Sequence, residues 1–147
     1  MYLTVFCDGA ARGNPGPAAW AFVVKDQNGK ILLQKAAFLG RATNNEAEYQ
    51  AVIGALEFLS SDQFFGGEGT GSKKEWKLDL RLDSQLVVEQ LSGRFKVKDQ
   101  RMRDYLFQAR TLENNFYSVS YHWIKRDENK EADLLVNEAL DGNLKWS

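Results

Sequence analysis

The 147-residue sequence holds one cysteine, one histidine and two prolines, and its charges almost cancel, leaving a net charge of -1. A single Cys7 closes no internal disulfide, and its place in a buried-strand pattern makes a reducing, cytoplasmic setting the expectation. No apolar run approaches the ~18 residues that span a bilayer. The opening MYLTVFCDGAARG has no basic region followed by an apolar stretch and a cleavage site, so it reads as a first strand and not as a signal peptide. With no overall basic excess, contact with nucleic acid has to rest on local patches. A hydrophobic fraction of 44% with 12% aromatics is globular composition, and the length suits one domain over residues 1–147.

Tyr2 to Asp8 is apolar on both alternating faces, the pattern of a strand inside a covered sheet. Gly9 to Pro17 reads as a turn-rich loop. Ala18 to Lys25 and Lys30 to Leu39 read as strands joined by Asp26-Gln27-Asn28-Gly29, a hairpin signal. Thr43 to Ser60 predicts a helix with the stripe Val52, Ala55, Leu56 and Leu59, widened by Tyr49 and Ile53. The glycine-rich Ser61 to Glu75 predicts a mobile surface loop. Trp76 to Leu82 reads as the fourth strand, and Ser84 to Leu91 as a short helix stopped by Ser92-Gly93. A helix over Asp99 to Asn114, a strand over Phe116 to Ile124 and a helix over Asp127 to Leu140 complete the order βββαβααβα. That order predicts an α/β fold: a five-stranded mixed sheet with helices on both faces. Sites in such sheets form outside the carboxyl ends of central strands, where Asp8 and Asp83 fall.

Four acidic residues, Asp8, Glu48, Asp83 and Asp133, sit at element ends or on an inward stripe. Burying a carboxylate there costs several kcal/mol unless a partner compensates. Glu48 shares helical spacing with Val52, Ala55 and Leu59, so it points toward the sheet. Glu46 lies about 200° around the helix from it and faces elsewhere. Each residue also has an ordinary reading: Asp83 as a helix cap, Asp8 as a turn residue before Gly9, Asp133 as first-turn charge. Taken together, oxygen ligands without a Cys or His cluster favour a hard cation, Mg²⁺ or Mn²⁺, over zinc.

The segments DGAARGNPGPAAWAFVV from Asp8, TNNEAEYQAVIGAL from Thr43, LDSQLVVEQLSG from Leu82 and NKEADLLVNEAL from Asn129 resemble the signature blocks of type 1 ribonuclease H. The resemblance covers nearly the whole chain, and four motifs in order make it specific. It implies the ribonuclease H-like fold and assigns the catalytic metal ligands to Asp8, Glu48, Asp83 and Asp133, with Glu46 excluded. It implies two Mg²⁺ ions (Mn²⁺ as an alternative) about 4 Å apart, bridged by Asp8 and clamping an in-line displacement. The implied reaction is hydrolysis of the RNA strand of RNA–DNA hybrids, leaving 5′-phosphate and 3′-hydroxyl ends. Gly13, Asn14, Asn44, Asn45 and Gln85 are the implied readers of 2′-hydroxyls, since amides both donate and accept. Thr43 would hold a DNA phosphate at the helix start. Asn14 and Asn44 read equally well as turn and cap residues.

Two departures from the family pattern stand out. The basic, Trp-rich protrusion of many relatives is reduced to Arg94-Phe95-Lys96-Val97-Lys98, with Arg101 and Arg103 following. This stretch suits contact with the DNA strand, the alternative being a solvated loop with Phe95 closing the core edge. The loop before the last helix, Lys125-Arg126-Asp127-Glu128, has no His, as in a subgroup of the family, while His122 lies in a strand. Proton transfer would then fall to water, Glu128 or Lys125. Strand one begins at Tyr2, so no separate hybrid-binding domain is expected. The starting Met and complete last helix favour a free-standing protein, and a monomer with no obligate protein partner and no membrane is the expectation. The competing readings are a nuclease domain of a reverse transcriptase and a catalytically silent hybrid-binding protein on the same fold.

Overall fold

The structure, a computed structural model, describes residues 1–64 and 71–142. Strands β1 (Tyr2–Ala11), β2 (Gly16–Lys25) and β3 (Ile31–Ala42) run into helix α1 (Asn44–Ser60). Then come β4 (Lys77–Leu82), α2 (Gln85–Leu91), α3 (Gln100–Glu113), β5 (Ser118–Trp123) and α4 (Lys130–Leu140). The sheet order is β3-β2-β1-β4-β5. β1 is antiparallel to β2 and parallel to β4, so the sheet is mixed as expected.

Strict alternation along β2 builds two cores of different grain. Phe22 and Val24 join Leu3, Val5, Cys7 and the apolar faces of α1, α2 and α3. Ala19, Ala21 and Val23 face the other way and meet Ala132, Leu135, Val136 and Ala139 of α4. Small side chains on that face let one helix lie close to the sheet. No described helix is long and apolar enough to cross a membrane.

Several boundaries differ from the sequence expectation. β1 does not stop at Asp8: it stays paired with β2 out to Ala11↔Ala18, so the expected loop Gly9 to Pro17 shrinks to residues 12–15. β3 likewise runs to Ala42. The expected helix from Asp127 is broken in two, a 3-10 turn at Arg126–Glu128 and α4 from Lys130. In the glycine-rich stretch, residues 65–70 lie outside the described residues, and Lys73–Glu75 forms a 3-10 turn.

The longer β1 creates the feature that positions the site. β4 pairs with β1 only as far as Phe6↔Arg81 and ends at Leu82, while β1 continues to Ala11. Beyond that point the β4-facing edge of β1 is open, and side chains complete its backbone bonds. Gly9 N–H donates to Glu48 Oε1 at 2.9 Å and Ala11 N–H to Asn44 Oδ1 at 2.8 Å. Asn129 Nδ2 donates to the Cys7 carbonyl at 2.8 Å. The start of α1 docks here because residue 9 is Gly: a Cβ would lie 2.2 Å from the Ala47 backbone.

Candidate active site

Three of the four carboxylates meet at this notch. Asp8 comes from β1, Glu48 from the first turns of α1 and Asp83 from just past β4; one oxygen of each lies within 4.8 Å of the others. Asp83 is not the cap of α2, because Ser84 accepts from Val87 N–H in that role. Asp133 stands on α4 outside this tight trio, partly exposed, with Arg126 Nη2 at 3.7 Å. It is still close enough for its charge to raise the pKa of both Asp8 and Asp83.

Asp8 and Glu48 are each 4% exposed, and Asp8 Oδ2 and Glu48 Oε2 are buried without a hydrogen-bond donor. Among the described residues, no Lys, Arg or His forms an ion pair with either. Burial and the charge of Asp83 push Asp8 up to about 7, against a weaker downward pull from Glu48 and Gly9. Burial, then the Asp8 charge, pushes Glu48 well above the usual carboxylate range. Asp83 is raised by burial, with Asn129 and Arg126 pulling against the rise. Converging carboxylates with unsatisfied buried oxygens are the donor set a hard divalent cation prefers. The residues therefore fit the implied Mg²⁺ or Mn²⁺ site, with Asp8, Glu48 and Asp83 as the oxygen donors.

The residues expected around the carboxylates divide into those engaged locally and those left open. Thr43 caps α1 by accepting from Glu46 N–H at 3.1 Å, and Thr43 N–H in turn donates to Glu46 Oε1 at 3.1 Å. Asn14 Oδ1 accepts from Asn44 N–H at 3.0 Å, so both asparagines use their carbonyls structurally, and their amide NH₂ groups have no partner among the described residues. Asn14, Thr43 and Asn45 line a cleft of about 610 Å³, whose opposite wall is Asp99, Gln100, Arg101 and Met102 at the start of α3. Gly13 has φ +87°, a left-handed conformation that suits glycine. Gln85 is exposed on the first turn of α2.

In the basic stretch, Arg94 is held by a bidentate pair with Glu89 at 2.7 and 2.8 Å. Arg101 is held by Glu46 at 3.0 Å, and Arg103 donates to the Val97 carbonyl at 2.8 Å. Lys96 and Lys98 have no such partner among the described residues, and Phe95 is 51% exposed, so it does not close the core edge. In the His-less loop, Glu128 caps Lys125 N–H at 3.1 Å, and Arg126 is the side chain that faces Asp133. Arg126 and Asn129 went unnoticed in the sequence. The signal for Asn129 was an amide one helical turn before Asp133.

A sheet whose central parallel strands end at an acidic notch, with α1 docked across it, defines an α/β protein built around a carboxylate cluster that could hold a metal ion. Residues 6–139 match the family described as reverse transcriptase-like. The chain is 42% identical over 136 residues to ribonuclease HI of Halobacterium salinarum, covering 92% of this chain and 63% of that protein. The crystal structure of the halobacterial RNase H1 superposes with a TM-score of 0.84 at 39% identity, covering 97% of this chain and 99% of that one. The chain is 37% identical to a bifunctional protein of Mycobacterium tuberculosis over 96% of its own length and 36% of that protein's. LC11-RNase H1, found in compost and solved in complex with an RNA/DNA hybrid, superposes with a TM-score of 0.85 at 34% identity, covering 95% and 97% of the two chains. The chain belongs to the type 1 ribonuclease H family. It spans under two thirds of the halobacterial and mycobacterial relatives.

Proposed function

We propose that this chain is a divalent-cation-dependent endonuclease that hydrolyses the RNA strand of RNA–DNA hybrids and leaves 5′-phosphate and 3′-hydroxyl ends. The observation that carries the reading is the trio Asp8, Glu48 and Asp83, two of them buried without a cationic partner, in a chain of this family. The bound hybrid in LC11-RNase H1 supports the substrate class. Two Mg²⁺ or Mn²⁺ ions held by these carboxylates would supply the positive charge that activates water and stabilises the departing 3′ oxygen. Asp133, tethered loosely by Arg126, completes the ligand set from α4.

The chain's own groups do the remaining work. Gly9 N–H orients Glu48, fixing which of its oxygens faces inward. The open amides of Asn14 and Asn44, together with Asn45, Gly13 and Gln85, would read the 2′-hydroxyls that distinguish RNA from DNA. Thr43, on the cleft wall, would receive a DNA phosphate. Lys96, Lys98 and exposed Phe95 would track the DNA strand by charge and stacking, with Arg94 contributing only by leaving Glu89. Proton transfer would fall to water or Lys125, since Glu128 is committed to its cap, while the Arg126 guanidinium, which does not give up a proton, would steady the charge of Asp133. The residues of this chain would act together as one catalytic unit without an obligate protein partner.

The test incubates the protein with labelled RNA–DNA hybrid, RNA duplex and DNA duplex, in Mg²⁺, in Mn²⁺ and in chelator. Cleavage confined to the RNA of the hybrid and abolished by chelator is expected. Binding without cleavage in both metals would favour a silent hybrid-binding protein instead.

A further inference from the structure

Asn129 is 1% exposed and stands at the N-cap of α4, yet its side chain makes no cap bond to that helix. A capping Asn normally accepts from a backbone N–H of the first turn. Here the amide is turned the other way. Its Nδ2 donates at 2.8 Å to the carbonyl of Cys7, the residue before Asp8, on the open edge of β1. The same side chain lies beside the Asp83 carboxylate and pulls its pKa down against the effect of burial. Its backbone carbonyl accepts from Asp133 N–H at 3.0 Å, in the turn that carries Asp133. Its Oδ1 is buried, and none of the described groups donates to it.

Resting on the metal-site reading above, we propose that Asn129 is a positioning residue that holds Asp8, Asp83 and Asp133 in register for cation binding. Its side chain holds the backbone next to the first carboxylate and lies beside the second, and its backbone carbonyl holds the turn that carries the third. Only a primary amide suits all of this, because one nitrogen gives two hydrogens while the oxygen stays an acceptor. An aspartate would donate nothing and add a like charge. The unsatisfied Oδ1 is an acceptor that a hydrated ion satisfies, since Mg²⁺ keeps several of its waters.

The test compares wild type, Asn129→Ala and Asn129→Asp by calorimetric Mn²⁺ binding without substrate and by steady-state cleavage of hybrid. The expected result for both variants is a Mn²⁺ affinity weakened by about 10–100-fold, typical of losing a group that orients ligands. kcat should fall with KM for hybrid unchanged, and excess Mn²⁺ should recover part of the rate in the alanine variant. A folded alanine variant with wild-type Mn²⁺ affinity and kcat overturns the proposal. Should that variant not fold, the side-chain amide resonances of Asn129 in the wild type decide it: they should shift on adding Mg²⁺, and unmoved resonances overturn it. A wild type that neither binds Mn²⁺ nor cleaves overturns the metal-site reading and this inference with it. An intact wild type beside an unaffected variant overturns this inference alone.

Discussion

Two buried carboxylate centres lie along the same pair of parallel strands, and they are treated in opposite ways. Asp79 on β4 is 5% exposed and well attended: Tyr2 Oη donates to its Oδ2 at 3.0 Å and Arg81 Nη2 to the same oxygen at 3.1 Å. His122 Nε2 stands 3.2 Å from Oδ1, within ion-pair range though outside hydrogen-bond geometry. Asp8 and Glu48 at the notch are buried as deeply and have no cation, only a backbone N–H and each other. Burial of a carboxylate alone therefore marks nothing. Burial next to like charge, with no ion pair among the described residues, marks a candidate site for a cation from outside the chain.

The contrast is broken most sharply by paired substitutions. Asp8→Asn should cut hybrid cleavage by about 10²–10³-fold or more, the scale of losing a preorganised electrostatic group. It should keep the fold, because an amide in place of the carboxylate relieves repulsion from Glu48 and Asp83. A variant that cleaves at the wild-type rate would remove Asp8 from the site. Asp79→Asn should do the reverse: cleavage unchanged, with stability lowered by about 1–3 kcal/mol in denaturant titrations as its charged bonds weaken. If Asp79→Asn abolishes cleavage in a stable protein, the two centres are not separate in function.

The pH dependence of stability in chelator should separate them too. Asp8 sits at about 7 in the folded protein against 3.8 as an ordinary aspartate. Between those values the folded chain holds a proton that the unfolded chain has released. The contribution of Asp8 to stability is then fully present below about 4 and is lost as pH rises toward about 7. Thermal unfolding midpoints in chelator should drop across that window, and Asp8→Asn or added Mn²⁺ should flatten the drop. A midpoint that rises through the window in chelator would contradict the burial of an unpartnered carboxylate.

The sequence made the attended centre invisible and the bare one visible. Leu78, Leu80 and Leu82 declare the core face of β4, and by alternation Asp79 reads as the exposed side. Its burial depends on Tyr2 and His122 from neighbouring strands, which a one-dimensional pattern does not bring together. The element order was legible because alternation in the strands and stripes in the helices are strong here. The ends were not: Gly9, Ala10 and Ala11 look like a turn, but their pairing with β2 and the docking of α1 keep them in the sheet. The resemblance named Asp133 as a ligand. In the folded chain it stands outside the trio of the other three, on the first turns of α4 beside Arg126.

The smallest effect tests the same principle within one helical turn. Glu46 and Glu48 are both buried at the start of α1, with Glu46 8% and Glu48 4% exposed, yet only Glu46 is provided for. Burial works against its ionisation, but Thr43 N–H and Arg101 outweigh that and hold Glu46 below the usual carboxylate range. Tyr105 Oη adds a long bond at 3.4 Å. Glu46→Gln keeps an oxygen for the cap and loses only the charge facing an exposed guanidinium, so it should cost about 0.2–1 kcal/mol and less in high salt. Hybrid cleavage and Mn²⁺ affinity should stay near wild type, whereas Glu48→Gln, two residues on, should lose both. Equal losses from the two substitutions would mean that the cleft beside α3, and not the notch beside β1, carries the chemistry.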